Sequence, residues 1–410
     1  MRGAGMSIGN ASLFEGDRMV LSEAIELTKA SLLSYAPLYD HWAVAYSGGK
    51  DSSATLTIIA HLIETGQVPR PKSLTVLYAD TRMELPPLQV SAMAMLAEMR
   101  ELGWDTRVVL PELDDRYFVY MFGRGVPPPK NRFRWCTAQI KIEPMLRELQ
   151  MLRDQIGKKF LMITGVRLGE SAARDARIVT SCSRDGAECG QGWFQEATPE
   201  SVADTLAPLL HWRVCHVWAW LTAHAPTHGF PTLPVATAYG ADIKNNDVNA
   251  RTGCIGCPLA SKDNALRAVI RQPGWEYLTP LVRLKPLYEE LSFNHKHRIR
   301  KSELETRKDG TTASNPQRVG PLTMEARKYG LATVLDVQRQ INREAERLGL
   351  PFIDLLNADE MDRIMDLIEA NTWPRGWDGS EPVGDIPIEK LYRDGTAQPL
   401  LMALEEESRA

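Results

Sequence analysis

The chain has 410 residues, 44% hydrophobic and 24% charged, a balance that excludes wholesale disorder and allows two or three folded units at roughly 150 residues each. With 48 Lys and Arg against 52 Asp and Glu the net charge is -4, so overall charge selects no polyanionic partner and any nucleic-acid surface must be local. No run approaches the roughly 18 apolar residues needed to cross a bilayer, and the opening MRGAGMSIGNASLFEG lacks an apolar signal core. A cytoplasmic protein with no membrane partner is expected.

In chain order, residues 1–40 read as a flexible leader and a helix, because Val20, Leu21, Ala24, Ile25, Leu27 and Leu32 recur at helical intervals. The apolar run His41–Tyr46 predicts a strand. Ala54, Ile58 and Leu62 then mark one helix face up to Gly66. Ser73–Ala79 and Thr106–Leu110 read as strands around a helix over Leu88–Leu102, and a helix over Ile140–Leu152 precedes a strand at Lys159–Thr164. This alternation predicts an α/β fold, a parallel sheet with crossover helices. Three consecutive prolines make Val126–Trp135 an exposed basic loop rather than helix. Leu209–Leu221 reads as a buried helix. Helical spacing over Leu322–Leu348 and Phe352–Ile368 predicts an α-helical C-terminal unit over 320–410, after a nucleotide domain at 41–180 and a cysteine-bearing segment at 181–319.

The sharpest chemical feature is Ser47-Gly48-Gly49-Lys50-Asp51-Ser52-Ser53, set between a predicted strand and helix. Adjacent glycines let backbone come close to phosphate oxygens, and a helix start offers amides and a favourable dipole. The spacing is not that of the Walker loop, and the competing reading is a turn that uses Gly-Gly for conformation alone. Asp51 is a candidate for steering Mg2+ or simply an acidic residue at a helix start. Asp80 and Glu84 are either site carboxylates or caps of the next helix.

At these residues a family resemblance emerges. The run from Ser47 to Ser52 resembles the pyrophosphate loop of the N-type ATP pyrophosphatases. Asp80-Thr81 with Glu84 is similar to the D-T-x-x-E element of the phosphoadenylyl-sulfate (PAPS) reductase branch. Arg134-Trp135-Cys136-Thr137 with Lys141, and Gly165-Val166-Arg167-Leu168-Gly169-Glu170-Ser171 with Arg174, resemble its two later motifs. The resemblance covers about Ala43 to Ala260. It implies an adenine nucleotide α-hydrolase-like fold and an ATP site made by Ser47, Gly48, Gly49, Lys50, Asp51, Ser52, Ser53, Asp80, Thr81, Gly165, Arg167 and Arg174. Lys50, Asp51 and Arg167 would be the catalytic groups. Three of these elements follow predicted strands, whose carboxyl ends are where open α/β sheets bind ligands.

The cysteines narrow the resemblance. The chain lacks the E-C-G-L-H ending of cluster-free PAPS reductases, and its last cysteine, Cys257, belongs to Cys254-Ile255-Gly256-Cys257. As in the iron–sulfur members, Cys136 would join Cys254 and Cys257, with Cys182 or Cys189 as fourth thiolate of a [4Fe-4S] cluster; structural Zn2+ and a dithiol redox pair are the alternatives. Cys215 is assigned to core packing. Gly320–Arg327 and the helical tail resemble the DNA phosphorothioation proteins of the DndC and SspD kind, which implies DNA, a cysteine desulfurase or other sulfur donor, and further modification-complex subunits as partners. The basic stretches Lys130–Arg134 and His295–Lys301 are candidate phosphate contacts or solvated faces. Trp212/Trp218 and Trp373/Trp377 are stacking candidates or core. Sulfonucleotide reductase and nucleotide-binding adaptor in a defence or CRISPR-associated complex are the alternative functions.

Overall fold

The computed structural model describes residues 19–131, 133–168, 193–195, 202–239, 253–260, 262–301, 309–311, 318–384, 390–391 and 397–398. Its strands β1 (His41–Tyr46), β2 (Ser73–Ala79), β3 (Asp105–Val109), β4 (Phe160–Ile163), β5 (Trp193–Gln195) and β6 (Ala203–Ala207) form a sheet in the order β3-β2-β1-β4-β6-β5. Five are parallel and β5 runs antiparallel to β6. In register, Val44 lies opposite Ile163 and Tyr78 opposite Val108. Strands β1 and β2 are buried almost throughout, as expected of parallel strands covered on both faces. The observed α/β architecture is the one the alternating pattern predicts.

The chain divides into two compact units, one of Met1–Val44, Lys50–Leu74 and Lys159–Phe230, the other of Ala45–Gly49, Thr75–Lys158 and Pro231–Ala410. In the first, helix α1 (Leu21–Tyr35) accepts the Trp212 indole Nε1–H on Ala24 O (3.1 Å) and Thr28 Oγ1 (2.8 Å). Helix α2 (Lys50–Glu64) is buried along most of its length. It tolerates buried threonines because Thr55 and Thr57 donate their hydroxyls to the carbonyls of Asp51 (2.9 Å) and Ser53 (2.7 Å).

Two expectations in this unit need correction. The helix expected over Leu209–Leu221 begins only at Val214; Trp212 N instead closes a turn on Leu209 O at 2.9 Å. Cys215 is consequently exposed rather than in the core. Trp212 is 2% exposed and its indole is spent on α1, so it is no stacking platform. Strand β6 was not expected. It carries Asp204, whose buried carboxylate accepts from Tyr39 Oη (2.7 Å) and Lys159 Nζ (3.0 Å), and that polar pairing hides the strand from an apolar pattern.

The second unit holds helices α3 (Pro86–Glu101), α4 (Glu143–Ile156), α5 (Leu284–Phe293), α6 (Met324–Leu348) and α7 (Ala358–Glu369). Its core joins Tyr117, Phe118 and Phe122 to Tyr288, Leu331, Val334 and Ile364. A Cβ on Gly330 would lie 2.3 Å from the Phe122 ring, so α6 approaches that ring only through a glycine. The helix expected from Phe352 starts at Ala358. Before it, the amides of Ile353, Leu355 and Leu356 donate to Asn342 Oδ1 and Gln338 Oε1 on α6, which ties the segment to α6 until Asn357 caps α7. The proline loop also departs from expectation, because Pro128 and Pro129 are buried and Trp135 Nε1 donates to Pro127 O at 3.0 Å.

Candidate nucleotide and thiol sites

Between β1 and α2 the chain turns through Ser47, Gly48 and Gly49. Gly48 has φ +70°, and a Cβ there would lie 3.2 Å from Ala92 Cβ and 3.6 Å from the Tyr78 ring. Glycine is therefore demanded both by conformation and by space. The turn delivers the chain to the N-terminus of a 15-residue helix, where first-turn amides have no intrahelical acceptor and the dipole favours an anion.

In the first unit, α2 opens with Lys50 and Asp51, both enclosed. Asp51 Oδ1 accepts from Arg167 Nε at 2.5 Å, and Asp51 Oδ2 lies 3.2 Å from Lys50 Nζ. Arg167 is 2% exposed and its Nη1 donates to Trp212 O at 3.1 Å. Two cations thus share one carboxylate at a helix start. Gly165 explains how Arg167 reaches it. A Cβ on Gly165 would be 3.0 Å from the carbonyl carbon and oxygen of Asp51 and from Ser52 N, so only glycine lets the segment after β4 lie against the first turn of α2. Ser52 and Ser53 are buried in the same turn. Of the residues expected in the nucleotide site, this unit assembles Lys50, Asp51, Ser52, Ser53, Gly165 and Arg167. Arg174, Cys182 and Cys189 lie outside the described residues.

In the second unit, Asp80 follows β2 and its N–H donates to Val109 O at 3.0 Å. Asp80 Oδ1 accepts from Arg82 N (2.8 Å) and Oδ2 from Gln89 Nε2 (3.4 Å). Glu84 Oε1 accepts from Thr81 Oγ1 at 2.6 Å and Thr81 N at 3.3 Å. Burial, with the neighbouring Asp80 charge, pushes the Glu84 carboxyl up to about 7, against the Thr81 hydrogen bonds. The helix-cap alternative fails, because the N-cap position of α3 is Leu85. Both carboxylates instead tie together the 80–84 loop.

The cysteine pair docks on that loop. Ile255 N donates to Met83 O at 2.8 Å, Cys257 N closes on Cys254 O at 3.1 Å, and Gly256 takes φ +64°. A Cβ on Gly256 would come within 3.0 Å of Leu284 Cβ and the Tyr288 ring. Desolvation pushes the Cys254 thiol up to about 12, with charges at Glu84, Cys257 and Cys136 adding to it; Cys136 is raised chiefly by burial too. The structure therefore gathers Cys136, Cys254 and Cys257 within electrostatic reach of one another. The Tyr117 and Tyr288 hydroxyls, 4% and 0% exposed as residues, sit in the same environment with no hydrogen-bond partner among the described residues. Among the described residues, however, no group of three or more His, Cys, Asp or Glu is arranged to hold a metal ion.

The basic stretches fare differently from one another. Within His295–Lys301, Arg298 and Arg300 are buried; Arg298 donates to Gly320 O and Ser292 O, and His297 pairs with Glu290 at 2.8 Å. These groups are structural. Lys130 donates to Ser292 O at 2.8 Å, the carbonyl that also accepts from Arg298, and lies 4.4 Å over the exposed Phe293 ring. Trp377 packs on Gly320 beside Lys301, and Trp373 on Gly379. Sequence reasoning missed Arg82, Tyr117, Tyr288 and Glu360. Glu360 was legible only as the fourth residue of an N-x-x-E capping box.

Residues 41–228 match the family model of the phosphoadenosine phosphosulfate reductase domain. Comparison with curated protein sequences finds no match. Three solved structures are similar in outline. The phosphoadenylyl-sulfate (PAPS) reductase from Candida auris, a phosphate complex, is 13% identical over 51% of this chain and 89% of that one, with a TM-score of 0.33. The Candida glabrata FMN adenylyltransferase, with FMN and the ATP analogue AMPCPP, is 17% identical over 49% and 56%, with a TM-score of 0.30. The U34-tRNA thiolase NcsA from Methanococcus maripaludis, with its [4Fe-4S] cluster, is 16% identical over 66% and 79%, with a TM-score of 0.34. Among the described residues no helix is long and apolar enough to cross a membrane.

Proposed function

We propose that the chain is an ATP pyrophosphatase that adenylates an acceptor oxygen for sulfur incorporation, with the DNA backbone as acceptor. The observation that carries the ATP half is the arrangement at the start of α2: a turn that requires glycine at position 48, then Lys50, Asp51 and a buried Arg167 linked by contacts of 3.2 and 2.5 Å. On this reading, amides of the turn and first helical turn receive the β and γ phosphates. Lys50 and Arg167 supply the positive charge that stabilises a developing pyrophosphate. Asp51 would hold Mg2+, and Asp80 and Thr81 would contact the nucleotide. The acceptor oxygen attacks the α phosphorus, the bond to the bridging oxygen breaks, and pyrophosphate leaves with the electron pair. A phosphodiester oxygen is a poor leaving group until AMP is attached, which gives adenylation its purpose before sulfur arrives.

Cys136, Cys254 and Cys257, with Cys182 or Cys189, would hold a [4Fe-4S] cluster, or a structural Zn2+, and the cluster would supply electron-transfer or sulfur-handling chemistry. A cysteine desulfurase or equivalent donor and further subunits of a modification complex complete this reading, in a cytoplasmic setting of host defence or DNA marking.

The test is release of pyrophosphate from Mg-ATP by the anaerobically purified protein, abolished in Lys50→Ala and Asp51→Ala. A second reading has its own support, since the matched family model is that of a sulfonucleotide reductase domain. Sulfite from PAPS or APS with a thiol donor, and no pyrophosphate from ATP, would replace the first reading with the second. ATP binding with turnover no faster than in the two variants would leave a nucleotide-binding adaptor.

A further inference from the structure

We propose that Glu360, on the C-terminal helix α7, is a positioning residue for the nucleotide site and acts through Arg82 on the Asp80–Thr81 turn. The inference deepens the proposed function, because it rests on reading Asp80 and Thr81 as nucleotide contacts. Arg82 has φ +63°, in the left-handed region, where a side chain with a Cβ is disfavoured by a factor of about 5 to 30. Glycine would adopt this conformation at little cost, yet the position carries the bulkiest of the basic side chains.

That side chain is what holds the turn. Arg82 Nε donates to Glu360 Oε1 at 3.3 Å and Nη2 to Glu360 Oε2 at 3.2 Å, a two-point pairing on a carboxylate whose side chain is only 3% exposed. Nη2 also reaches Asp354 Oδ2 at 3.2 Å and Asp354 O at 3.3 Å. Glu360 is fixed in turn. Arg116 Nη1 donates to Oε1 at 3.3 Å, and Asn357 N donates to Oε2 at 3.1 Å within the capping box of α7. Its four donors come from three separate stretches of chain.

The other end of the link is the Asp80–Thr81 turn. With Arg82 turned left-handed, its own amide points back and donates to Asp80 Oδ1 at 2.8 Å. Asp80 is 7% exposed, and its second oxygen is met by Gln89, so the orientation of this carboxylate depends on where the Arg82 backbone sits. Thr81, the intervening residue, is held by Glu84. A buried ion pair that only stabilised the fold would not require strain beside Asp80. Here the strain and the pair meet in one residue, as at sites where surrounding contacts over-determine a functional conformation.

The experiment measures ATP affinity and thermal midpoint for wild type, Arg82→Gly, Arg82→Ala, Glu360→Gln and the Arg82→Ala/Glu360→Gln double variant. ATP dissociation constants should rise about 5- to 30-fold in Arg82→Ala and Glu360→Gln. Arg82→Gly, spared the left-handed penalty, should lose less than Arg82→Ala although it lacks the same tether. The double variant should be no weaker than Arg82→Ala alone, because both changes cut one link. In turnover the loss should fall on KM for ATP more than on kcat. Wild-type affinity in every variant, or equal losses in Arg82→Gly and Arg82→Ala that follow the thermal midpoint, would overturn the proposal. Should Glu360→Gln fail to fold, the comparison of glycine with alanine at position 82 still decides. A wild type that binds neither ATP nor pyrophosphate would instead remove the nucleotide reading on which the link depends.

Discussion

Asp51→Asn isolates the electrostatics at the start of α2. The substitution keeps shape and removes one negative charge that two cations share. Arg167, 2% exposed, retains the Trp212 carbonyl but loses its 2.5 Å ionic contact, while Lys50 loses one at 3.2 Å. Breaking a buried pair from one side costs about 3–5 kcal/mol. The Asp51 side chain is 16% exposed and the asparagine oxygen can still accept, so about 2–3 kcal/mol is expected here. At roughly 2–4 °C per kcal/mol the thermal midpoint should fall by roughly 4–12 °C. If this is a polyphosphate site, pyrophosphate supplies the charge that asparagine lacks, so the same concentration of pyrophosphate should raise the midpoint of the variant more than that of wild type. Differential scanning calorimetry with and without pyrophosphate reads both effects. An unchanged midpoint, or a pyrophosphate shift no larger than the wild-type one, would refute the account.

Three further outcomes are expected. Gly165→Ala places a methyl 3.0 Å from the Asp51 carbonyl and Ser52 N, and overpacking against backbone should cost about 1–3 kcal/mol in denaturant unfolding and weaken ATP binding; a neutral result would mean that this approach is not held tightly. For Glu84, burial raises the folded carboxyl from 4.5 to about 7, so its contribution to stability is present below about 4.5 and is lost as pH rises through about 7. Glu84→Gln keeps an acceptor for Thr81 and should remove that decline, and a stability–pH curve with the wild-type slope across this window would contradict the assignment. Arg327, fully buried in α6, donates to Phe122 O at 2.7 Å, to Thr372 O at 2.9 Å and to Gly123 O. Arg327→Met should therefore cost about 2–4 kcal/mol, measured by urea midpoint, because carbonyls are left buried without donors.

The periodicities of the chain were enough to locate β1, β2, α2 and the order of helix and strand, since those segments are buried on regular faces and the pattern records burial directly. The Gly48-Gly49 turn was equally legible, because adjacent glycines between an apolar run and a helical pattern mark a tight strand-to-helix turn. What sequence could not express is who faces whom. Leu209–Trp212 looks helical yet closes a turn, with Trp212 N on Leu209 O and its indole held by α1. Arg298 and Arg300 look like a nucleic-acid patch yet are buried in the second unit. Arg82 and Glu360, 278 positions apart, have no local pattern that pairs them. The chain alone determines which backbone shapes are affordable, through steric and burial preferences that act over a few residues. Only the folded structure decides which charges are enclosed together, because desolvation and close contact depend on distances that neighbouring positions do not encode.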